Sequence, residues 1–270
     1  MSGLQKRPKL IASDLDGTVV AQYGAITERT IKAFRRAHEM GIHIYFVTGR
    51  PPRWMPEIKE ALGFGTGICG NGALLFDIQN HKVLEEWLIP IEAQRETVKR
   101  LRKAIPPISF AVETHDNFHR EVAYIPKWDV GIDNKGVTKI EEAMTEPMMK
   151  MLARCSNYEF TSDEMLAIAT KEVGDLVNVT HSNPKESLLE ISAHGVSKGA
   201  TLAKIAERLG LTADDCVSFG DNPNDFSMLQ WASRSYAMSD GHPAAPTFAT
   251  AVAEPCTDDG VAKIIEQLLD

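Results

Sequence analysis

A run of three apolar residues, Leu10-Ile11-Ala12, stops abruptly at Ser13-Asp14-Leu15-Asp16-Gly17-Thr18. Too short for a helix and apolar throughout, it reads as the first buried strand of a parallel sheet. Two carboxylates two residues apart leave its carboxyl end, which in open α/β sheets is where ligands bind. So close together, they repel one another unless a cation or a shared proton intervenes. Mg²⁺, a hard cation that takes oxygen ligands, suits such a pair.

Asp14-Leu15-Asp16-Gly17-Thr18 resembles the first signature of the haloacid dehalogenase superfamily, most of whose members are phosphohydrolases. The resemblance implies that Asp14 is a nucleophile that becomes an aspartyl phosphate, and that Asp16 is the general acid and base. The family's true dehalogenases lack a carboxylate at the second position, so Asp16 points to phosphoryl chemistry.

With 270 residues the chain can bury a substantial core, as one large domain or two modest ones. Its net charge of −8 and the lack of a dense basic run argue against nucleic acid as a partner. No apolar stretch approaches the roughly 20 residues of a membrane span. Gln5, Lys6, Arg7 and Lys9 could mimic the basic segment of a signal peptide, but only three apolar residues come after it. Cys69, Cys155, Cys216 and Cys256 are scattered, indicating neither zinc nor a disulfide framework. The expectation is a soluble, cytoplasmic protein with reduced thiols.

The spacing predicts a helix from Thr27 to Met40, capped by Thr27 and ended by Gly41, then a strand from Ile42 to Val47. Strand, helix, strand makes a βαβ unit, so Asp14 and Thr48 should point into one crevice. Ile68 to Ala73 reads as a further strand and tight turn. From residue 84 to 189 the character changes: helix-like stretches at Glu92 to Ala104 and Lys139 to Cys155, strand-like ones at Ser109 to Thr114 and Leu176 to Thr180. The α/β rhythm then returns with a helix from Ser197 to Leu209 and the strand Cys216 to Phe219. An alanine-rich helical stretch and a last helix, Gly260 to Leu268, complete the chain. The expected fold is a doubly wound, Rossmann-like parallel-sheet core (residues 1–83 and 190–270) with an inserted α+β domain (84–189).

Four separated signals fit one phosphoryl-transfer site. Asp14 and Asp16 are the first. Thr48 with the Gly49 amide could hydrogen-bond a phosphate oxygen, although Thr48 reads equally well as a helix cap. Lys198 opens a helix, where the dipole disfavours a cation; pairing with Asp14 and a transferring phosphate would explain it. Gly220-Asp221-Asn222-Pro223-Asn224-Asp225 comes directly after an apolar strand and reads as a metal-ligand loop. These match the superfamily's four motifs in order. The match implies Mg²⁺ held by Asp14, the Asp16 backbone carbonyl and Asp221, with Asp225 just outside. It also implies phosphate bound by Asn224, the Leu15 amide, Thr48 and Lys198.

Asn71-Gly72-Ala73, Leu189-Glu190-Ile191, Gly195 to Gly199, Met228-Leu229 and Asp259-Gly260-Val261 look like the Cof-type sugar-phosphatase branch, whose large α/β cap sets specificity. The resemblance implies a Mg²⁺-dependent phosphatase of a small phosphorylated metabolite: a sugar phosphate, nucleotide or cofactor phosphate. The alternatives are a phosphosugar mutase of the same fold and a phospho-acceptor signalling module, the latter disfavoured by Asp16 and by the large insert. Glu113, His115 and His119 could meet a substrate or simply lie in an exposed hairpin. Trp87 and Trp128 read as packing. Arg50 and Arg53 could hold a second anionic group or be solvated.

Overall fold

The computed structural model describes residues 7–21, 24–127, 130, 132 and 134–270. The start of the basic segment, through Lys6, and Trp128 lie outside the described residues. The chain divides into two compact units. One comprises the chain up to Arg50, Trp54–Glu85 and Ser197–Asp270; the other comprises Pro51–Arg53 and Glu86–Val196.

The first unit opens with β1 (Leu10–Ser13), buried along its whole length. After the Asp14–Thr18 turn comes α1 (Glu28–Glu39), capped by Thr27, whose hydroxyl accepts the Thr30 N–H at 3.2 Å. The cap contributes about 1 kcal/mol. Complete burial of Phe34, whose ring lies 5.3 Å from that of Phe46, contributes about 2–3 kcal/mol, so packing rather than capping fixes the helix. The chain continues through β2 (His43–Val47), α2 (Pro56–Leu62), β3 (Thr66–Cys69), β4 (Leu74–Asp77) and β5 (Lys82–Glu86).

The second unit consists of α3 (Ile91–Ala104), β6 (Ser109–Glu113), β7 (Phe118–Arg120), β8 (Lys150–Arg154), α4 (Ser162–Val173), β9 (Val177–Thr180) and β10 (Leu188–Ala193). The strands form an antiparallel sheet in the order β7-β6-β8-β10-β9. Val98 and Leu101 of α3 and Met165, Ala169 and Val173 of α4 share one apolar core with Phe110, Val112, Met151 and Leu189 of the sheet. Trp87 packs against that core.

Two expectations change here. Lys139 to Cys155 is no helix: a single 3₁₀ turn, Ile140–Glu142, precedes Pro147, and Lys150–Arg154 is β8, paired on both sides. Proline removes the N–H a helix would need at that point. The expected junction at 189/190 also falls inside β10, which pairs with β8 and β9; the second unit runs to Val196.

The chain then re-enters the first unit with α5 (Lys198–Arg208), β11 (Cys216–Gly220), α6 (Phe226–Trp231), β12 (Arg234–Met238), β13 (Ala251–Ala253) and α7 (Gly260–Leu269). The alanine-rich stretch read as helical gives β12 and β13, recruited in parallel beside β11, with only the 3₁₀ turn Ala245–Thr247 between them. The sheet order is β13-β12-β11-β1-β2-β3-β4-β5, with β13 to β3 parallel and β4 antiparallel to β3. Leu202, Ile205 and Ala206 of α5 and Met228 of α6 pack on Leu10, Ala12 and Val47, while α1 covers Phe46, whose side chain points the other way. The unit is thus a doubly wound α/β fold. Because β1 is flanked by β2 on one side and β11 on the other, the strand order reverses beside it. A crevice therefore opens at the carboxyl ends of these three strands.

Candidate active site

Asp14 comes after β1, Thr48 after β2 and Asp221 after β11, and Lys198 is the first residue of α5. Lys198 is completely buried. Its ammonium donates to Asp14 Oδ1 at 2.5 Å and to Asp225 Oδ1 at 2.6 Å, which offsets the unfavourable placement of a cation at a helix start. Asp225 Oδ2 accepts the backbone N–H groups of Asp221 (2.9 Å) and Asn222 (3.1 Å). Both oxygens of Asp225 are therefore committed within the protein, and the 223–225 turn is locked to the end of β11.

Carboxylate oxygens of Asp14, Asp221 and Asp225 lie within 4.8 Å of one another, and all three residues are buried. One ammonium faces three carboxyl groups. Burial, reinforced by repulsion from Asp225, pushes Asp14 up to about 7 despite the pull of Lys198. Burial and the charges of Asp14 and Asp225 likewise raise Asp221 well above the ordinary carboxylate range. Burial would lower Lys198, but Asp14 and Asp225 outweigh it and hold the ammonium charged. A divalent cation would supply the missing positive charge. The donor set of hard oxygens, with the Asn224 Oδ1 buried and unbonded beside it, fits Mg²⁺.

Close approach demands glycine around this cluster. Gly17 has φ +87°, and a Cβ there would collide with the Asp221 carboxylate. Leu15 is buried, and its carbonyl accepts the N–H groups of Thr18, Val19 and Val20, fixing the turn that carries Asp14 and Asp16. Thr48 is fully buried; its hydroxyl oxygen accepts the Arg50 N–H at 3.0 Å across Gly49, leaving the hydroxyl proton to donate. Thr48 caps no helix, since α2 starts at Pro56 after Met55; its hydroxyl closes a two-residue turn instead and keeps its proton free for the donor reading.

Asp16 takes a different course from the other acids. Its side chain is 57% exposed and both oxygens face Arg50. Arg50 therefore serves neither as a solvated cation nor as an open anion site. Arg53 bonds Glu113 and the Val130 carbonyl. Glu113 is not in an exposed loop: it is buried, with Lys150 at 3.4 Å as a further partner. His115 pairs with Glu86 at 2.9 Å, and His119 lies half-buried opposite Val112 in the sheet.

Asn71 escaped the sequence reading as a site residue. It sits in the left-handed region (φ 57°, ψ 33°) between Gly70 and Gly72, buried, and accepts the Asn224 Nδ2 at 3.1 Å. Its own N–H donates to the Thr48 carbonyl at 2.9 Å. The signal was an Asn flanked by glycines directly after a strand, since Asn tolerates this conformation better than most residues.

The arrangement is a buried acidic cluster organised around the Lys198 ammonium, and comparison with known proteins supplies the family. The haloacid dehalogenase-like hydrolase family matches residues 11–265, and the chain belongs to it, as a hydrolase of the phosphatase kind. Pyridoxal phosphate phosphatase YbhA of Escherichia coli (strain K12) is 27% identical, with 95% of this chain and 97% of that protein covered. 5-Amino-6-(5-phospho-D-ribitylamino)uracil phosphatase YcsE of Bacillus subtilis (strain 168) is 25% identical, with 95% and 94% covered. Among solved structures, the subclass IIB sugar phosphatase BT4131 shares the fold with a TM-score of 0.79 at 23% identity, covering 96% of this chain and 98% of its own.

Proposed function

We propose that this hydrolase is a Mg²⁺-dependent phosphatase that cleaves small phosphomonoesters through an aspartyl phosphate on Asp14. The observation that carries the reading is the buried trio Asp14, Asp221 and Asp225 around the single ammonium of Lys198, at the carboxyl ends of β1 and β11. Asp14, the Asp16 carbonyl and Asp221 would hold the metal, with Asp225 outside it, since its oxygens already serve Lys198 and two backbone amides. The bound cation would supply charge neutralisation for the phosphoryl oxygens.

The chain's own groups perform the rest. A carboxylate oxygen of Asp14 forms a bond to phosphorus as the ester P–O bond breaks, and Asp16 gives a proton to the leaving oxygen. Asp16 then takes a proton from water as its oxygen attacks phosphorus; the acyl-phosphate P–O bond breaks, restoring the Asp14 carboxylate. Thr48, Gly49, Lys198, Asn224 and the Leu15 amide bind the phosphoryl oxygens. Transfer from carboxylate to water is mainly a problem of positioning and charge, and these groups supply both.

We assign substrate choice to the antiparallel unit as an inserted cap. Relatives named for pyridoxal phosphate and for a phosphoribitylamino-uracil support small cofactor phosphates as candidates, to be compared with sugar phosphates and nucleotides. The test is phosphate release from a panel of these esters with and without Mg²⁺. Turnover that requires Mg²⁺ and stops on chelation is expected; equal turnover with the metal removed would refute the reading.

A further inference from the structure

Arg50 closes a fork on Asp16. Its Nε donates to Asp16 Oδ2 at 2.8 Å and its Nη2 to Oδ1 at 2.6 Å, the bidentate pairing that fixes a carboxylate in both position and plane. The remaining arm, Nη1, bonds Glu57 near the start of α2. Arg50 itself is rigidly placed. Its N–H is bonded to Thr48 Oγ1, its carbonyl accepts the Gly70 N–H at 3.1 Å, and its side chain is only 11% exposed. Asp16 and Glu57 are more than half exposed, so the guanidinium is the fixed member and the carboxylates the movable ones.

We propose that Arg50 is a positioning residue for Asp16, holding it ready beside Asp14 and handing one oxygen back in each catalytic cycle. This rests on the acid and base role given to Asp16 above. A carboxyl oxygen that carries a proton is a much weaker, uncharged acceptor for the guanidinium. Carrying the proton to the leaving oxygen therefore weakens one arm of the fork and favours its opening. The bond to Glu57 keeps the guanidinium in place while that arm opens, so the carboxylate has a fixed seat to return to. Lysine cannot substitute, because an ammonium lacks the planar fork.

The test is a double-mutant cycle of Arg50→Met and Asp16→Ala in the full chain with Mg²⁺, on glycerol 2-phosphate and p-nitrophenyl phosphate. Arg50→Met should lower kcat on glycerol 2-phosphate by about tenfold or more, and on p-nitrophenyl phosphate, whose leaving group needs little protonation, by less than about threefold. KM should stay within about threefold. In the Asp16→Ala background the Arg50 substitution should cost less than about twofold on either ester. Arg50→Lys should recover little of the loss, and Glu57→Gln, which leaves the turn intact, should show a weaker loss with the same preference for the alkyl ester.

Independent effects that multiply, a loss expressed mainly in KM, or full rescue by lysine would overturn the proposal. A second readout does not depend on turnover. The Arg50 Nε–H resonance should be protected from exchange in the wild type and lose that protection in Asp16→Ala. Protection that is absent in the wild type, or that survives the loss of Asp16, contradicts the fork. A wild type that turns over neither ester while showing the protected resonance would contradict the phosphatase reading instead, leaving the ion pair established.

Discussion

The ammonium of Lys198 lies 2.5 Å from Asp14 Oδ1, a contact that joins the first strand of the chain to a helix 184 residues later. Its second bond, to Asp225, ties both to the loop after β11. One buried cation thus organises three segments into one site, and the excess of carboxyl groups around it sets the site's chemistry.

Asp14→Asn should abolish turnover, by roughly 10⁴-fold or more, while keeping the fold. The amide is isosteric but no nucleophile. Removing one of three clustered carboxyl groups should also raise the melting temperature of the metal-free protein near pH 8, where repulsion is greatest. Thermal denaturation checks this, and a lower melting temperature at pH 8 would mean that Asp14 is a net stabiliser through Lys198.

Asp16→Ala should lower kcat by roughly 10²- to 10⁴-fold on alkyl phosphates and much less on p-nitrophenyl phosphate. Stability should change by no more than about 1 kcal/mol, because the Asp16–Arg50 pair is largely exposed on the Asp16 side. Equal losses on both ester classes would remove Asp16 from the acid role.

The metal-free protein should lose stability as pH rises from about 4 to about 7. Asp14 titrates near 3.8 when unfolded and near 7 when folded, so across that window the folded state holds more protons and rising pH favours unfolding. Asp221, also raised, acts in the same direction. Mg²⁺ at a hundredfold excess over its Kd should stabilise the protein by about 2.7 kcal/mol at pH 8. At pH 5, where protons compete for the same carboxylates, the increment at equal total Mg²⁺ should shrink sharply. Equal increments at both pH values would place the cation elsewhere.

Gly72→Ala should destabilise the protein by roughly 2–4 kcal/mol and lower kcat with it. Gly72 has φ +108°, and a Cβ would lie 2.5 Å from the carbonyl oxygen of Ser197 and 2.9 Å from Thr201 Oγ1. Ser197 caps the helix that begins with Lys198, so the displacement reaches the ammonium. Urea denaturation together with kinetics checks both halves; an unchanged midpoint would show that the turn yields without cost.

Asp14, Lys198, Asp221 and Asp225 were legible because each sits where a short apolar run or a helix start fixes its position, and strand ends in parallel sheets converge. The partnership of Arg50 with Asp16 was not, since sequence places Arg50 two residues past Thr48 without saying which carboxylate its flexible side chain will reach. Met144, Met148 and Met151 recur at helical spacing and imitate an amphipathic helix, yet Met148 and Met151 are buried in extended chain, Met151 in β8. Pro147 breaks the helical hydrogen bonding there, and β6 and β10 pair with Lys150–Arg154 on either side. Similarly, the alanines of β12 and β13 favour helix locally, but β11 offers an open edge and the ladder outweighs propensity.

The covalent role of Asp14 is tested most directly by trapping. Enzyme turning over p-nitrophenyl phosphate with Mg²⁺ is quenched with borohydride, which reduces an acyl phosphate to the alcohol, and the peptides are read by mass spectrometry. The account predicts homoserine at position 14 only when substrate is present, and none in Asp14→Asn. Sustained turnover with Asp14 unmodified, or reduction at a different carboxylate, would contradict it.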